Sequence, residues 1–144
     1  MKTLLKLLNP LTVPKNTITL LKASDPTGVV FLLGYVAIAW GVGLLNPLTN
    51  TFTITSFAFL SGIAPENFWG ILALGWGLLQ TTLSANGDLN IRGWLGLSNT
   101  FWWTFIALGM ALSNSGTVAS YIYLVFAIAG IWAYVNVVYK RLHS

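Results

Sequence analysis

The sequence predicts an all-α membrane protein: four transmembrane helices, both termini on the cytoplasmic side, and an N-terminal amphipathic segment lying in the membrane interface. Three observations carry this expectation. Only 7% of the 144 residues are charged and 56% are hydrophobic, against about 25% and 45–50% in soluble domains. A chain so poor in charge cannot clothe a water-soluble core. Four apolar runs of about 18–23 residues match the ~20 residues a helix needs to cross a ~30 Å hydrocarbon layer. Every Lys and Arg lies outside those runs and, with four crossings, on one side. The runs are apolar on all faces, unlike the alternating strands of a barrel.

Residues 1–24 interleave Leu, Val and Ile with Lys2, Lys6, Lys15 and Lys22, and Pro10 and Pro14 interrupt them. A cleaved secretory signal needs an unbroken apolar core and a small-residue site, so this stretch reads as an interfacial amphipathic segment. Its lysine heads would face phosphates and its leucine stems the acyl boundary. Residues 25–144 form the transmembrane domain. The first span covers about 27–46: Asp25 supplies a capping acceptor, Pro26 suits the first helical position, and Asn46-Pro47 ends the run. The link 47–65 holds an apolar stretch, Thr51 to Ala64, too short to cross, in which TFTITSF alternates with period two. It reads as an interfacial or re-entrant piece on the outer side, or equally as a loop packed on the bundle.

The second span covers about 66–85. Pro65-Glu66 opens it with an acid at the positive end of the helix dipole, and Asn86-Gly87 suits a left-handed cap. The third, about 96–113, would open at Ser98 or Asn99. A tight turn at Asn114-Ser115-Gly116 leads into the fourth, about 117–139.

Orientation follows from counting. Lys2, Lys6, Lys15, Lys22, Arg92, Lys140 and Arg141 share one side, and the links at 47–65 and 114–116 hold no basic residue. Such a bias makes the basic side cytoplasmic and draws it to anionic headgroups. The net charge of +4 is spread along the chain rather than clustered, which argues against nucleic acid as a partner. Trp69 and Trp94, near span ends, are expected interface anchors, whereas Trp40, Trp76, Trp102, Trp103 and Trp132 lie deeper.

The residues that catalysis would need are missing from the spans. There is no Cys, the single His is His143, and no Asp, Lys, Arg or His lies inside a run. Nucleophile–base pairs, convergent metal ligands and the buried carboxylate of a coupled transporter all lack their parts. The expectation is a non-enzyme with no cofactor and no metal. What recurs instead is small residues four apart: Ala37/Gly41, Ala39/Gly43, Ala73/Gly77, Ala107/Ala111 and Ala129/Ala133. Such pairs let helix backbones approach, within one bundle or between copies. Gln80, Thr81, Thr82, Thr104 and Asn136 are candidates for interhelical hydrogen bonds of ~0.6–2 kcal/mol.

In size, span count, lack of Cys and its ending Tyr139-Lys140-Arg141-Leu142-His143-Ser144, the chain resembles the small multi-spanning membrane proteins of bacteriophages, holins among them. That resemblance implies a self-associating, non-enzymatic protein of the bacterial cytoplasmic (inner) membrane, forming homo-oligomers and a lesion or pore. The residues leave a second expectation open, a structural or assembly subunit whose partners are other components of a membrane complex. A small-solute channel or transporter is disfavoured by the lack of buried charge.

Overall fold

A computed structural model describes residues 25–48, 51–53, 55–113 and 118–143, and no strand occurs among them. Five α-helices follow one another: α1 (Pro26–Leu45), α2 (Ala58–Ile63), α3 (Glu66–Asn86), α4 (Leu89–Leu112) and α5 (Val118–His143). Single 3-10 turns at Thr51–Thr53 and Thr55–Phe57 lead into α2. The helices α1, α4 and α5 are each long and apolar enough to cross a membrane. The helix α3 meets that test only together with Thr55–Ile63, from which it is bent by 84°; Gln80, Thr81, Thr82 and Ser84 dilute its last turns. The interfacial segment expected at 1–24 and the turn at 114–116 lie outside the described residues.

Local chemistry explains most helix ends. The Asp25 carboxylate accepts from the Thr27 backbone N–H at 3.0 Å and from its hydroxyl at 2.7 Å, and Pro26 occupies the first helical position of α1. Asn46 closes α1, and Pro65 precedes α3 as expected. Two expectations are corrected. Gly87 closes α3 with extended backbone, φ −79° and ψ 153°, rather than a left-handed one. A glycine suits the position because an added Cβ would run into the Leu83 carbonyl. The second correction is the start of α4, which is Leu89 rather than Ser98 or Asn99. Asp88 is its cap and accepts from the Ile91 N–H at 2.9 Å. Hydropathy marks where a helix enters the apolar layer, whereas the cap marks where it begins. At 24 residues and 1.5 Å per residue, α4 is about 36 Å long and exceeds a ~30 Å layer.

Two antiparallel helix pairs build the bundle. In the α1–α3 pair, a Cβ added to Gly77 would lie 2.7 Å from the Gly34 carbonyl oxygen, and one added to Gly41 would lie 2.8 Å from that of Gly70. The α4–α5 pair meets at Gly96 and Gly130, where the corresponding distances to each other's carbonyl are 3.0 and 2.7 Å. At these crossings backbone touches backbone, and dispersion over the contact holds the helices. The pairs join through a core that includes Leu33, Ala37, Trp103, Ile106 and Met110.

The link before α3 is helical, not extended, so its period-two pattern does not mark a strand. Phe52 stacks on Phe57, with ring centres 5.3 Å apart and planes at 14°. Leu60 of α2 is fully buried, and α2 seats on α4.

Candidate functional site

The two ends of the bundle differ in charge. At one end lie Asp25, Asp88, Arg92, Lys140 and Arg141. The Thr27 hydroxyl and backbone hydrogen bonds hold the Asp25 carboxyl below its ordinary range, with smaller help from Lys140 and Arg92. The Ile91 N–H does the same for Asp88, with a lesser contribution from Arg141. The start of α1, the end of α3, the start of α4 and the end of α5 lie together, with Gln80 bonded to Val30 and Gly93 packed beside Val137 and Arg141. Arg92 also ties α4 to α3, its Nε donating to the Ser84 carbonyl at 3.3 Å.

Among the described residues Glu66 is the one charged side chain at the other end. Its two oxygens accept from the backbone N–H groups of Thr51 at 2.9 Å and Phe52 at 3.3 Å. The Trp69 indole N–H donates to the Leu60 carbonyl at 3.1 Å, and the Phe59 N–H donates to the Ser113 hydroxyl at 2.9 Å. Together these bonds fold the link 51–63 over the bundle end and satisfy backbone groups that lipid would leave without partners.

Between the ends, aromatic rings from different helices converge. Trp40 of α1 lies 6.3 Å from Trp102, 6.2 Å from Trp103 and 6.2 Å from Tyr123. Trp103 stacks on Tyr123 of α5, with centres 5.6 Å apart. Beside this cluster the surface opens into recesses. Two adjoining ones beside α1, of about 270 Å³ against α5 and about 320 Å³ against α5 and the link residues Thr51 and Phe57, share Ala39, Trp40 and Tyr123 in their walls. A third, of about 430 Å³, lies between α3 and α4 and is lined by Trp76, Ser98, Phe101, Trp102 and Phe105.

Polar side chains turn inward. Gln80, Ser84, Asn99 and Asn136 are each 0% exposed. Gln80 donates through Nε2 to the Val30 carbonyl of α1, and Asn99 through Nδ2 to the Leu95 carbonyl at 2.8 Å. The carbonyl oxygens of the Gln80 and Asn99 side chains accept no hydrogen bond among the described residues. Neutral amides so enclosed can join helices but do not present a wet face. Among the described residues no three His, Asp or Glu side chains gather as metal ligands would.

Of the residues expected to pack helices, Ala37, Gly41, Ala73, Gly77, Ala107 and Ala133 are buried inside the bundle. Ala129 is half-buried against the core. Gly43 and Ala111 are exposed, and an added Cβ on Gly43 would meet nothing within 4 Å, so neither serves the intramolecular crossings. Of the expected anchors, Trp94 is 67% exposed, but Trp69 is 4% exposed and is corrected to a bundle position. Arg92, Lys140 and Arg141 share one end, while Lys2, Lys6, Lys15 and Lys22 lie outside the described residues. Gly34, Gly70, Gly96 and Gly130 were not singled out by the spacing of four. The seven-residue spacing shared by Gly34/Gly41 and Gly70/Gly77 was the signal for the first crossing.

The aromatic recesses flanking Trp40 and Trp102 are the candidate functional surface, because a bulky apolar group from outside could seat in them. Comparison with known proteins finds no matching family model, no matching curated protein and no matching solved structure.

Proposed function

We propose that this chain is a non-enzymatic membrane protein that crosses the bilayer four times with both ends cytoplasmic, and that it serves as a structural or assembly subunit of a membrane complex. The observation that carries the subunit reading is the use of its small-residue faces. Gly34, Gly41, Gly70 and Gly77 are consumed by the α1–α3 crossing, and Gly96 and Gly130 by the α4–α5 crossing. Those crossings close the helices on each other in pairs, the strongly polar amides of the bundle interior are enclosed, and its lateral surface carries aromatic recesses beside the exposed small residues Ala39 and Gly43. Those recesses suit protruding side chains of a neighbouring transmembrane helix. A holin-like lesion needs a polar face to hold water open, and the buried positions of Gln80, Asn99 and Asn136 speak for a solid module instead.

The four-span count is supported by α3 lying antiparallel against α1 along the glycine crossing; if α1 crosses, a 21-residue helix alongside it covers about the same ~30 Å. The cytoplasmic assignment of the basic end rests on the Lys/Arg bias.

The test is graded expression in bacteria with a membrane-potential dye, followed by gentle detergent extraction and sizing. The proposal expects an unbroken potential at high expression and recovery in a heteromeric complex. Filling the two recesses beside Trp40 by Ala39→Phe, at an exposed position in both of their walls, should release that complex while the bundle stays folded. Abrupt depolarisation accompanied by large homo-oligomers would overturn the subunit reading in favour of the lesion.

A further inference from the structure

At the basic end, α4 and α5 enclose a small recess of about 70 Å³, roughly two of the ~30 Å³ volumes that water molecules occupy in the liquid. Asn90 and Trp94 of α4 and Tyr134 and Arg141 of α5 stand around it, with Gly93 and Val137 as its floor. The recess exists because Gly93 has no side chain. A Cβ there would lie 3.0 Å from the Val137 Cγ1 and 3.8 Å from an Arg141 guanidinium nitrogen, so Arg141 lies across the glycine. Trp94 beside it is 67% exposed, the placement of an indole at headgroup depth.

From this geometry we propose that the recess is a binding site for the phosphate of an anionic phospholipid, with Arg141 and Asn90 as donors and Trp94 and Tyr134 flanking the glycerol and upper acyl region. The volume fits a phosphate and is too small for a whole sugar or sterol. Three basic side chains, Arg92, Lys140 and Arg141, outnumber the two acids, Asp25 and Asp88, among the described residues of this end. Asp88 borders the recess and accepts from the Asn90 Nδ2 at 3.4 Å, and the five N–H donors of the Arg141 guanidinium leave it able to hold a phosphate as well. Guanidinium matches phosphate through paired N–H donors, and basic pockets between helices on the cytoplasmic side are where anionic lipid heads dock. The proposal goes beyond general attraction of a basic surface, since it assigns the lipid to one crevice. It rests on the membrane-spanning reading alone and is indifferent to the complex partner.

The full chain, purified in a neutral detergent, would be titrated with phosphatidylglycerol and, separately, phosphatidylethanolamine, with bound lipid counted by native mass spectrometry. The expected result is one tightly held phosphatidylglycerol and at least about tenfold weaker phosphatidylethanolamine. Arg141→Gln should lose about tenfold or more in affinity for phosphatidylglycerol, as befits a charge-assisted hydrogen bond. Lys140→Gln removes the same charge outside the crevice and should cost no more than about fivefold. Trp94→Ala alters an exposed side chain, so it should weaken lipid retention without changing the elution of the protein. Equal affinity for the two lipids would overturn the proposal, as would equal losses in the two charge variants or full retention in Trp94→Ala. Complete displacement by millimolar inorganic phosphate would also overturn it, and would assign the crevice to a free anion. Release of the protein from membranes by alkaline carbonate without detergent would instead sink the membrane-spanning reading itself.

Discussion

Glycines two positions apart on α1 have opposite duties. Gly41 sits where an added Cβ would lie 2.6 Å from the Leu74 nitrogen and 2.8 Å from the Gly70 oxygen, whereas at Gly43 it would meet nothing within 4 Å. Backbone cannot retreat as a flexible side chain can, so a leucine at Gly41 must force α1 and α3 apart. Gly41→Leu is expected to destabilise the bundle by about 1–3 kcal/mol or more, the range for overpacking, while Gly43→Leu should change little. Thermal unfolding in detergent, followed by fluorescence-detected size exclusion, checks both. Equal effects would mean that the α1–α3 crossing is not as close as described. The pairing was partly legible beforehand: Ala37/Gly41 and Ala73/Gly77 stand four apart on both helices and do lie inside. The same rule also selected Gly43 and Ala111, since a spacing of four says that two residues share a face but not which face meets a neighbour. Trp69 was misplaced for a related reason. A tryptophan near a span end suits a lipid interface, and only the folded link reveals that the Leu60 carbonyl waits for its N–H.

The link from Thr51 to Ile63 depends on a few polar contacts with α3 and α4. Glu66 holds two backbone N–H groups of the first 3-10 turn, Trp69 holds α2, and Ser113 holds its first turn. Carboxylate acceptors make hydrogen bonds roughly twice as strong as neutral ones. Glu66→Gln therefore removes a charged acceptor and leaves a side chain with one oxygen for two donors. Faster amide exchange at Thr51 and Phe52 is the expected outcome, with α1 and α5 unaffected. Trp69→Phe keeps an aromatic ring but loses the donor and part of the packing on Phe105, so exchange should rise around α2 instead. Hydrogen exchange read by mass spectrometry separates the two; unchanged exchange in both variants would show that apolar packing alone, through Phe57 and Leu60, seats the link. The sequence marked this segment as apolar and too short to cross but could not tell interfacial piece from packed loop. Its period-two pattern suggested alternation, yet Ser56 and Phe57 are both buried, which a strand with one covered face would not allow. The start of α4 was hidden differently: Asn90 and Arg92 are polar, so hydropathy overlooked two helical turns that the Asp88 cap begins.

At the scale of the whole molecule the decisive quantity is the number of crossings, and α3 decides it. Taken alone α3 is less apolar than its neighbours, and its 84° bend from the preceding stretch is shared by broken spans and re-entrant loops. A re-entrant loop would return Asn86 to the side of Leu48 and place Arg92 far from Asp25. Instead Arg92 bonds to Ser84 at the end of α3, Gln80 of α3 bonds to Val30 near the start of α1, and α3 runs beside α1 from Gly70 opposite Gly41 to Gly77 opposite Gly34. These relations favour the four-crossing arrangement proposed above. The absence of Cys makes a clean experiment, since a single introduced thiol has no background. Leu48, 91% exposed at the end that holds Glu66, and Asn86, exposed at the end of α3, bracket the helix. In intact bacterial cells a membrane-impermeant maleimide should label Leu48→Cys at once. Asn86→Cys and Leu142→Cys should react only after the membrane is opened. Labelling of both Leu48→Cys and Asn86→Cys from outside would make α3 re-entrant and divide the basic residues between the two faces. Protection of Leu48→Cys with free labelling of the other two would keep four crossings but invert them, against the Lys/Arg bias.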